Sequence, residues 1–376
     1  MIIRRRAILT GTLVATALAA FPAIARARRL DAAGLDAALD AAFAAKAPVA
    51  LAGGVVTHDG LVWSGARGVR QVETGDAATV QDRWHLGSNT KAMTAALYGR
   101  LVDQGRARWD APVTEVFGAA TADAGWSGTT MLDLMHHRAG LADAQVMGMP
   151  WLMTARGDPA PLTVQRARIA ASALSQAPAG TKGQFAYGNA NYVLVGAAIE
   201  RITGGEWEDA MQAEVFGPLG LSSAGFGAPA HDVAGGGNAW GHRGAGTSLV
   251  AMDPASPGAD NPAAMAPAGG VHMTLSDYAD FLKVFLTEGG GWLKPETLAV
   301  LTTPPAEGEP YAAGWGVRPA ARASGAVLGH DGSNTMWYVR ASVAPGLGVA
   351  FVGLSNEGPQ NGAVPFLVGG LRDVWA

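Results

Sequence analysis

The chain contains no cysteine, and only 15% of its residues are charged. Without cysteine there is neither a disulfide framework nor a lipid-modified cysteine behind an export signal. The formal net charge is −4, from 27 basic and 31 acidic residues, and the basic residues after the N-terminus are scattered. This pattern provides no basic surface for nucleic acid, so no nucleic-acid partner is expected.

Lysine is also scarce, with five in 376 residues, and Lys91 follows Ser88 by three positions where a helix is predicted to start. Residues at i and i+3 share a helix face, so both side chains can enter one pocket. A serine hydroxyl needs a neighbour to take its proton, and a lysine whose pKa is lowered by burial can do so. The apolar run over 92–98 favours such burial. The alternative from these residues alone is that Ser88 caps the helix and Lys91 lies on the surface.

The first 27 residues are typical of an export signal. Three arginines (4–6) precede an apolar run over 7–21 and small-x-small cleavage sites at 23–25 and 25–27. That run is too short for a convincing membrane span, and the arginine pair suggests the twin-arginine route. The sequence therefore predicts a periplasmic or secreted protein without a stable membrane anchor. An uncleaved N-terminal anchor is the alternative.

Strand patterns occur near both ends of the chain, and helical patterns dominate the middle. The predicted strands cover 48–57, 61–69, 326–330, 336–343 and 348–354, and the principal predicted helices cover 35–45, 163–177, 192–203, 206–215, 275–287 and 363–375. This order predicts an α/β (α+β) fold with one antiparallel sheet built from the two termini and flanked by helices. A sheet lobe over 28–109 plus 268–376 and a mostly helical lobe over 110–267 would together form one catalytic domain.

Two further segments carry groups that acyl transfer needs. Tyr187 and Asn189 place a phenol and an amide two residues apart. A phenol beside a lysine ammonium is expected to have a lowered pKa and to share the proton shuttle, while the amide would hold either the substrate carbonyl or Lys91. His330, Gly332 and Ser333 follow a strand pattern, where main-chain N–H groups can donate to a developing oxyanion.

These segments, in this order, resemble the penicillin-recognising serine hydrolases: class C β-lactamases, D-alanyl-D-alanine carboxypeptidases, D-aminopeptidases and related esterases. The resemblance covers most of the chain after the export signal and implies the β-lactamase/transpeptidase-like fold. Besides the Ser88 motif, it rests on Leu132–Leu141 (with Ala139 in place of the family's serine), Tyr187–Tyr192, Pro218–Leu221 and Pro267–Val271.

The resemblance implies a role for each matching residue. Ser88 would be the acylated nucleophile, and Lys91 and Tyr187 would jointly move its proton and activate water, with the principal base left open. The backbone N–H groups of Ser88 and Ser333 would form the oxyanion hole. Asn189 matches the substrate-orienting amide. No metal and no cofactor are expected.

The sequence departs from β-lactamases at His330, which stands where those enzymes carry lysine in K-T-G. A histidine with an ordinary pKa of about 6.5 is mostly neutral at pH 7.5 and suits a substrate carboxylate less than lysine does. Asp331 would raise that pKa if it pointed the same way. We therefore expect a small ester, amide or D-amino acid peptide as substrate. D-alanyl-D-alanine carboxypeptidase, weak β-lactamase and a non-catalytic binding protein of this fold are the alternatives.

Overall fold

The computed structural model describes residues 30–118, 122–229, 237–320 and 325–376, so the predicted export signal lies outside the described residues. The strands are β1 (Ala50–Thr57), β2 (Gly60–Gly68), β3 (Arg83–His85), β4 (Gly225–Phe226), β5 (His242–Arg243), β6 (Val250–Ala251), β7 (Val271–Thr274), β8 (Gly316–Ala320), β9 (Gly325–Ser333), β10 (Tyr338–Ala344) and β11 (Val349–Ser355).

Helices surround these strands. They are α1 (Ala32–Lys46), α2 (Thr90–Asp103), α3 (Val113–Phe117), α4 (Met131–Met135), α5 (Asp143–Val146), α6 (Met149–Ala155), α7 (Leu162–Leu174), α8 (Asn189–Thr203), α9 (Trp207–Met211), α10 (Gly217–Leu219), α11 (Ala266–Gly269), α12 (Leu275–Lys283), α13 (Pro295–Thr302) and α14 (Ala363–Trp375). None of the described helices is both long and apolar enough to cross a membrane.

The main sheet has six antiparallel strands in the order β2-β1-β11-β10-β9-β8. It is therefore built from the two ends of the chain, as the sequence predicted. Side chains of β1 alternate between two apolar layers: Leu51 and Val55 pack with α1 and α14 on one face, and Ala52 and Val56 join the larger core on the other. Both faces of the sheet are therefore covered by apolar packing.

Between the two halves of the sheet, the chain is mostly helical. Here α8 is buried from Ala190 to Glu200 and contacts α2, α4, α7 and α11. The described chain from Ala32 onward forms one compact unit. The predicted lobe boundary at 267/268 falls inside α11, and the division into lobes stays a prediction.

Some elements differ from the sequence prediction. A small sheet of order β3-β7-β4, the edge strand β8 and helix α13 were not predicted. These strands have two to five residues, too few for an alternating pattern to show, and Pro319 interrupts β8. The predicted helix over 206–215 instead changes from α9 to a π-helical turn over Gln212–Phe216.

Candidate active site

Ser88 lies in a tight turn between β3 and α2. The turn is a 3₁₀ segment over Gly87–Asn89, and α2 begins directly after it. The Asn89 side chain fixes the turn, because its amide donates to the Leu86 carbonyl at 3.2 Å and its oxygen accepts from the Tyr278 hydroxyl at 2.8 Å. Ser88 is therefore held half-buried at the start of a helix rather than acting as its N-cap.

Lys91 is fully buried and contacts the Ser88 hydroxyl. Its Nζ lies 3.0 Å from Ser88 Oγ, 2.8 Å from Asn189 Oδ1 and 2.7 Å from the Ala268 carbonyl oxygen. Burial lowers the pKa of Lys91 to about 7, although Asp143 opposes the shift. A neutral amine donates its two N–H groups to Asn189 and Ala268, which leaves its lone pair directed at the Ser88 hydroxyl. The alternative prediction that Lys91 lies on the surface is therefore wrong.

Asn189 begins α8 and holds Lys91 from the opposite wall. Its oxygen is engaged by Lys91, and its Nδ2 lies 3.3 Å from Asp143 Oδ2. Asp143 also accepts the backbone N–H of Ala190 at 2.7 Å, so the carboxylate fixes the start of α8. Of the two roles that the sequence allowed for Asn189, the structure shows the contact with Lys91. Asp143 carries no motif of its own, and sequence reasoning missed it.

Tyr187 stacks beside Lys91, whose Nζ lies 4.9 Å from the centre of its ring. The ring is partly open to solvent, but desolvation of the hydroxyl raises the pKa of Tyr187 well above 10 despite a hydrogen bond with Ser88. The expectation that Lys91 lowers this pKa is wrong, because desolvation of the hydroxyl is the dominant effect on it. The phenol therefore keeps its proton and can donate it.

His137 supports the ring of Tyr187 from below. The two ring centres are 4.4 Å apart, and His137 Nδ1 accepts the N–H of Gly188 at 3.3 Å. Burial moves the pKa of His137 well below its ordinary value, so the ring is a neutral packing surface. In the sequence it belongs to the matched stretch Leu132–Leu141 and is one of two adjacent histidines without metal-ligand spacing, and neither feature indicates this contact.

His330 faces the same cluster from β9, but both of its ring nitrogens are already bonded. Nε2 accepts from the Tyr311 hydroxyl at 2.8 Å, and Nδ1 donates to the carbonyl oxygen of Asp331 at 2.7 Å. Burial, with the nearby charge of Lys91, lowers the pKa of His330 to about 4. The ring is therefore a neutral wall of the site, and Tyr311 is a partner that the sequence did not reveal.

Asp331 points away from this cluster. It makes bonds of 2.6 and 2.7 Å to Arg340 and accepts the Tyr338 hydroxyl at 2.9 Å on the exposed side of the sheet. Although burial opposes the shift, the bond to Arg340 lowers the pKa of Asp331. The charge of its carboxylate is thus balanced by Arg340. Asp331 does not point the same way as His330, so it does not raise the pKa of His330 above its ordinary value.

The end of β9 lies directly against the Ser88 turn. A Cβ atom at Gly332 would overlap the Leu86 carbonyl oxygen and come within 2.8 Å of the Ser88 nitrogen, and one at Gly87 would overlap the Ser333 nitrogen. Gly87 also has a φ of +51°, which favours glycine. The structure thus brings the Ser88 and Ser333 nitrogens, the predicted oxyanion donors, to one place.

We expect Gly332→Ala to lower kcat/KM for an ester substrate by about 10- to 100-fold, because a methyl group there pushes β9 away from the turn. The control is Gly369→Ala in α14, where nothing lies within 4 Å of the added Cβ. That variant should match the unsubstituted protein in activity and in Tm. Equal activity of the two variants would show that close packing at Gly332 is not needed.

The sheet order, the covering helices and a Ser-Lys pair at the start of a core helix define the β-lactamase/transpeptidase-like class of folds. The family model described as Beta-lactamase matches residues 36–367, which is most of the chain. The protein therefore belongs to the β-lactamase family.

Relatives of this family have several kinds of names. Penicillin-binding protein 4 of Amycolatopsis lactamdurans is 34% identical over 165 residues, which are 43% of this chain and 41% of that protein. Esterase EstB of Burkholderia gladioli is 30% identical over 218 residues, 52% of this chain and 53% of that protein. A solved D-stereospecific amidohydrolase from Streptomyces sp. has a TM-score of 0.67 at 23% identity, covering 88% of this chain and 95% of that one. The chain spans about half or less of the curated relatives it matches.

Proposed function

We propose that this protein is a serine hydrolase that cleaves ester or amide bonds through an acyl-enzyme at Ser88. The observation that carries the proposal is the 3.0 Å contact between Ser88 Oγ and the buried Nζ of Lys91, whose pKa of about 7 leaves much of it unprotonated at neutral pH. A protein that only binds has no chemical need for a lysine kept neutral beside a serine.

The geometry supports a two-step reaction. Lys91 takes the Ser88 proton as Oγ bonds to the substrate carbonyl carbon, and the resulting oxyanion lies at the Ser88 and Ser333 N–H groups. The bond to the leaving group then breaks, and that group leaves with a proton delivered from Lys91 through the protonated phenol of Tyr187. Water, deprotonated by the same pair, cleaves the acyl-enzyme and returns the proton to Ser88.

We infer a substrate without a carboxylate next to the bond that is cleaved. Among the described residues around Ser88, the basic side chains are already engaged: Lys91 by Ser88, Asn189 and Ala268, and Arg138 by the carbonyls of Gly183, Glu307 and Glu309. His330 is neutral with both nitrogens bonded. Esters, and peptide amides including those of D-amino acids, fit this site better than anions. The name of the relative EstB agrees with ester hydrolysis.

D-alanyl-D-alanine carboxypeptidase and weak β-lactamase activity are the second candidates, favoured by the relative named penicillin-binding protein 4. Both substrates carry a carboxylate near the scissile bond. A matched pair of D-alanyl-D-alanine peptides, one with a free and one with an amidated C-terminus, separates the candidates. We expect the amidated peptide to react faster, and a preference for the free acid would favour the carboxypeptidase.

The proposal predicts that kcat/KM rises with pH through about 7. Lys91 must be unprotonated to accept the Ser88 proton, and its lowered pKa means that this form gains population as pH increases past 7. Because the pKa of His330 is about 4, His330→Gln should keep this limb in place. A pH–rate profile measured from pH 5 to 9 checks both statements. Loss of the limb in His330→Gln would assign it to the histidine.

Labelling with a serine-directed phosphonate tests the proposed nucleophile. We expect one adduct, found by mass spectrometry of the peptide that contains Ser88, and no adduct in Ser88→Ala. The matched control is Ser64→Ala, because Ser64 lies in β2 without a lysine three residues later. An adduct on another serine, or none on the folded protein, would contradict the proposal.

We also propose that the protein is exported, which the arginine-rich, apolar segment over 1–27 supports. Cell fractionation should find the processed protein in the periplasm or medium. Replacing Arg5 and Arg6 by lysine should retain it in the cytoplasm if the twin-arginine route is used, and unchanged export would rule that route out.

A further inference from the structure

A chain of hydrogen bonds joins the Ser88 turn to the end of β9 through one carboxylate. The N–H of Gly87 donates to His85 Nδ1 at 3.1 Å, His85 Nε2 lies 2.9 Å from Asp260 Oδ2, and Asn334 Nδ2 donates to Asp260 Oδ1 at 2.9 Å. Gly87 directly precedes the nucleophile. The three side chains come from β3, from the loop before α11 and from the turn after β9, so they connect separate parts of the fold.

The direction of each bond is fixed. A histidine that accepts at Nδ1 carries its proton on Nε2, and here that proton points at Asp260. The His85 side chain is fully buried and that of Asp260 is 14% exposed. Despite burial, the electrostatic interaction with His85 and the bonds from His85 and Asn334 lower the pKa of Asp260, so the carboxylate is ionised. An ionised acceptor in a nearly dry site makes strong, oriented bonds.

The end of this hydrogen-bond chain that lies at β9 is equally constrained. Asn334 directly follows Ser333, and its Oδ1 accepts the N–H groups of Met336 and Trp337, each at 3.2 Å. The indole ring of Trp337 stacks on the ring of His85, with centres 5.6 Å apart and planes at 28°. A shift of the turn after β9 relative to the Ser88 turn therefore has to break bonds to Asp260.

We propose that Asp260 is a positioning residue that sets the separation of the two oxyanion donors, the N–H groups of Ser88 and Ser333. An oxyanion is stabilised only when both donors lie about 2.7–3.1 Å from the position that it occupies. Asp260 acts on this separation through His85 on one side and Asn334 on the other, without touching the substrate. The inference rests on the proposed acyl-enzyme function of Ser88.

The two isosteric variants Asp260→Asn and Asn334→Asp test the link from either end. In Asp260→Asn, the single amide oxygen at 260 can accept from His85 or from Asn334 but not from both. In Asn334→Asp, two carboxylates face each other and the bond between positions 260 and 334 is lost. In the double variant, the new amide at 260 accepts from His85 and donates to the new carboxylate at 334, which restores the chain in reverse. The bond that Asn261 N–H makes to the Asp260 carboxylate at 2.7 Å is the one left unrestored.

The readout is kcat/KM for a nitrophenyl ester and for its thionoester, in which sulfur replaces the carbonyl oxygen. We expect each single variant to lose about 10- to 100-fold on the ester with little change in KM and less loss on the thionoester, so the ester/thionoester ratio falls. The double variant should regain at least about tenfold on the ester. Damage that merely reduces the amount of folded enzyme lowers both rates equally and leaves the ratio unchanged.

The control is Asp253→Asn, which should leave both rates unchanged. Asp253 is an exposed aspartate on the same loop, and its side chain accepts a local bond from Ala255 N–H at 2.9 Å. An unchanged ratio in the single variants, or a double variant worse than both, would overturn the role of Asp260. Circular dichroism checks that each variant is folded. If one single variant fails to fold, the ester/thionoester ratios of the other single variant and of the double variant provide the test. An unsubstituted protein with no Ser88-dependent ester hydrolysis would instead overturn the proposed function.

Discussion

Lys91→Met is expected to lower kcat/KM for ester hydrolysis by about 10³- to 10⁴-fold while leaving the protein at least as stable. The variant keeps the length and shape of the buried side chain but removes the amine that lies 3.0 Å from Ser88 Oγ and can accept its proton. The stopped-flow acylation rate with a nitrophenyl ester measures the loss.

The stability half of this prediction follows from the pKa of Lys91. Burial lowers it from 10.5 to about 7, so between these values the unfolded chain binds a proton that the folded protein does not. Stability from this group therefore increases as pH rises from 7 to 10.5, by up to about 5 kcal/mol. Lys91→Met should remove that increase and should not lower Tm at pH 7.

The matched control is Lys283→Met, since Lys283 is a partly exposed residue of α12 and pairs with Asp280. It should retain full activity. A Lys91→Met protein that keeps more than about a tenth of the activity would show that another group deprotonates Ser88. A large fall in Tm at pH 7 would instead show that the buried amine stabilises the fold.

Tyr187→Phe is expected to lower kcat/KM by about 10³-fold for an alkyl ester but much less for a nitrophenyl ester. The raised pKa keeps the Tyr187 phenol protonated, so in this account it delivers a proton to the leaving group. An alkoxide needs that proton, whereas nitrophenolate leaves without it. Initial rates with an alkyl and a nitrophenyl ester of the same acid measure the difference.

Tyr338→Phe provides the control, because the Tyr338 hydroxyl contacts Asp331 on the far side of β9. It should hydrolyse both esters normally. Equal losses on the two esters in Tyr187→Phe would mean that the phenol does not protonate the leaving group. The phenol would then act in the earlier step, in which it helps Lys91 to remove the proton of Ser88.

The sequence was sufficient to predict the sheet built from both ends of the chain, because β1, β2 and β9–β11 are each seven to nine residues long and contain an apolar segment. It was also sufficient to predict that Lys91 is buried, since its neighbours in α2 are apolar. The short strands β3, β4 and β7 could not be predicted in this way. They position the Ser88 turn through backbone pairing that leaves no periodic pattern.

The charge states of the site could not be predicted either. The sequence places Asp331 next to His330, but adjacent residues on a strand point to opposite faces, and Asp331 pairs with Arg340 instead. The pKa of Tyr187 depends on enclosure of its hydroxyl by side chains from distant segments. Likewise Asp143 and Asp260 act on the Ser88 site from distant positions in the chain, and no local motif marks such long-range contacts.

The most direct test of the acyl-enzyme is pre-steady-state release of nitrophenol from a short-chain nitrophenyl ester, measured beside Ser88→Ala. We expect a rapid burst of about one equivalent per enzyme followed by slower steady turnover, with the burst absent from the variant. An acyl-enzyme at Ser88 would be contradicted if folded Ser88→Ala showed a burst and turnover of the same size. It would also be contradicted if the folded unsubstituted protein released no nitrophenol from any of several such esters.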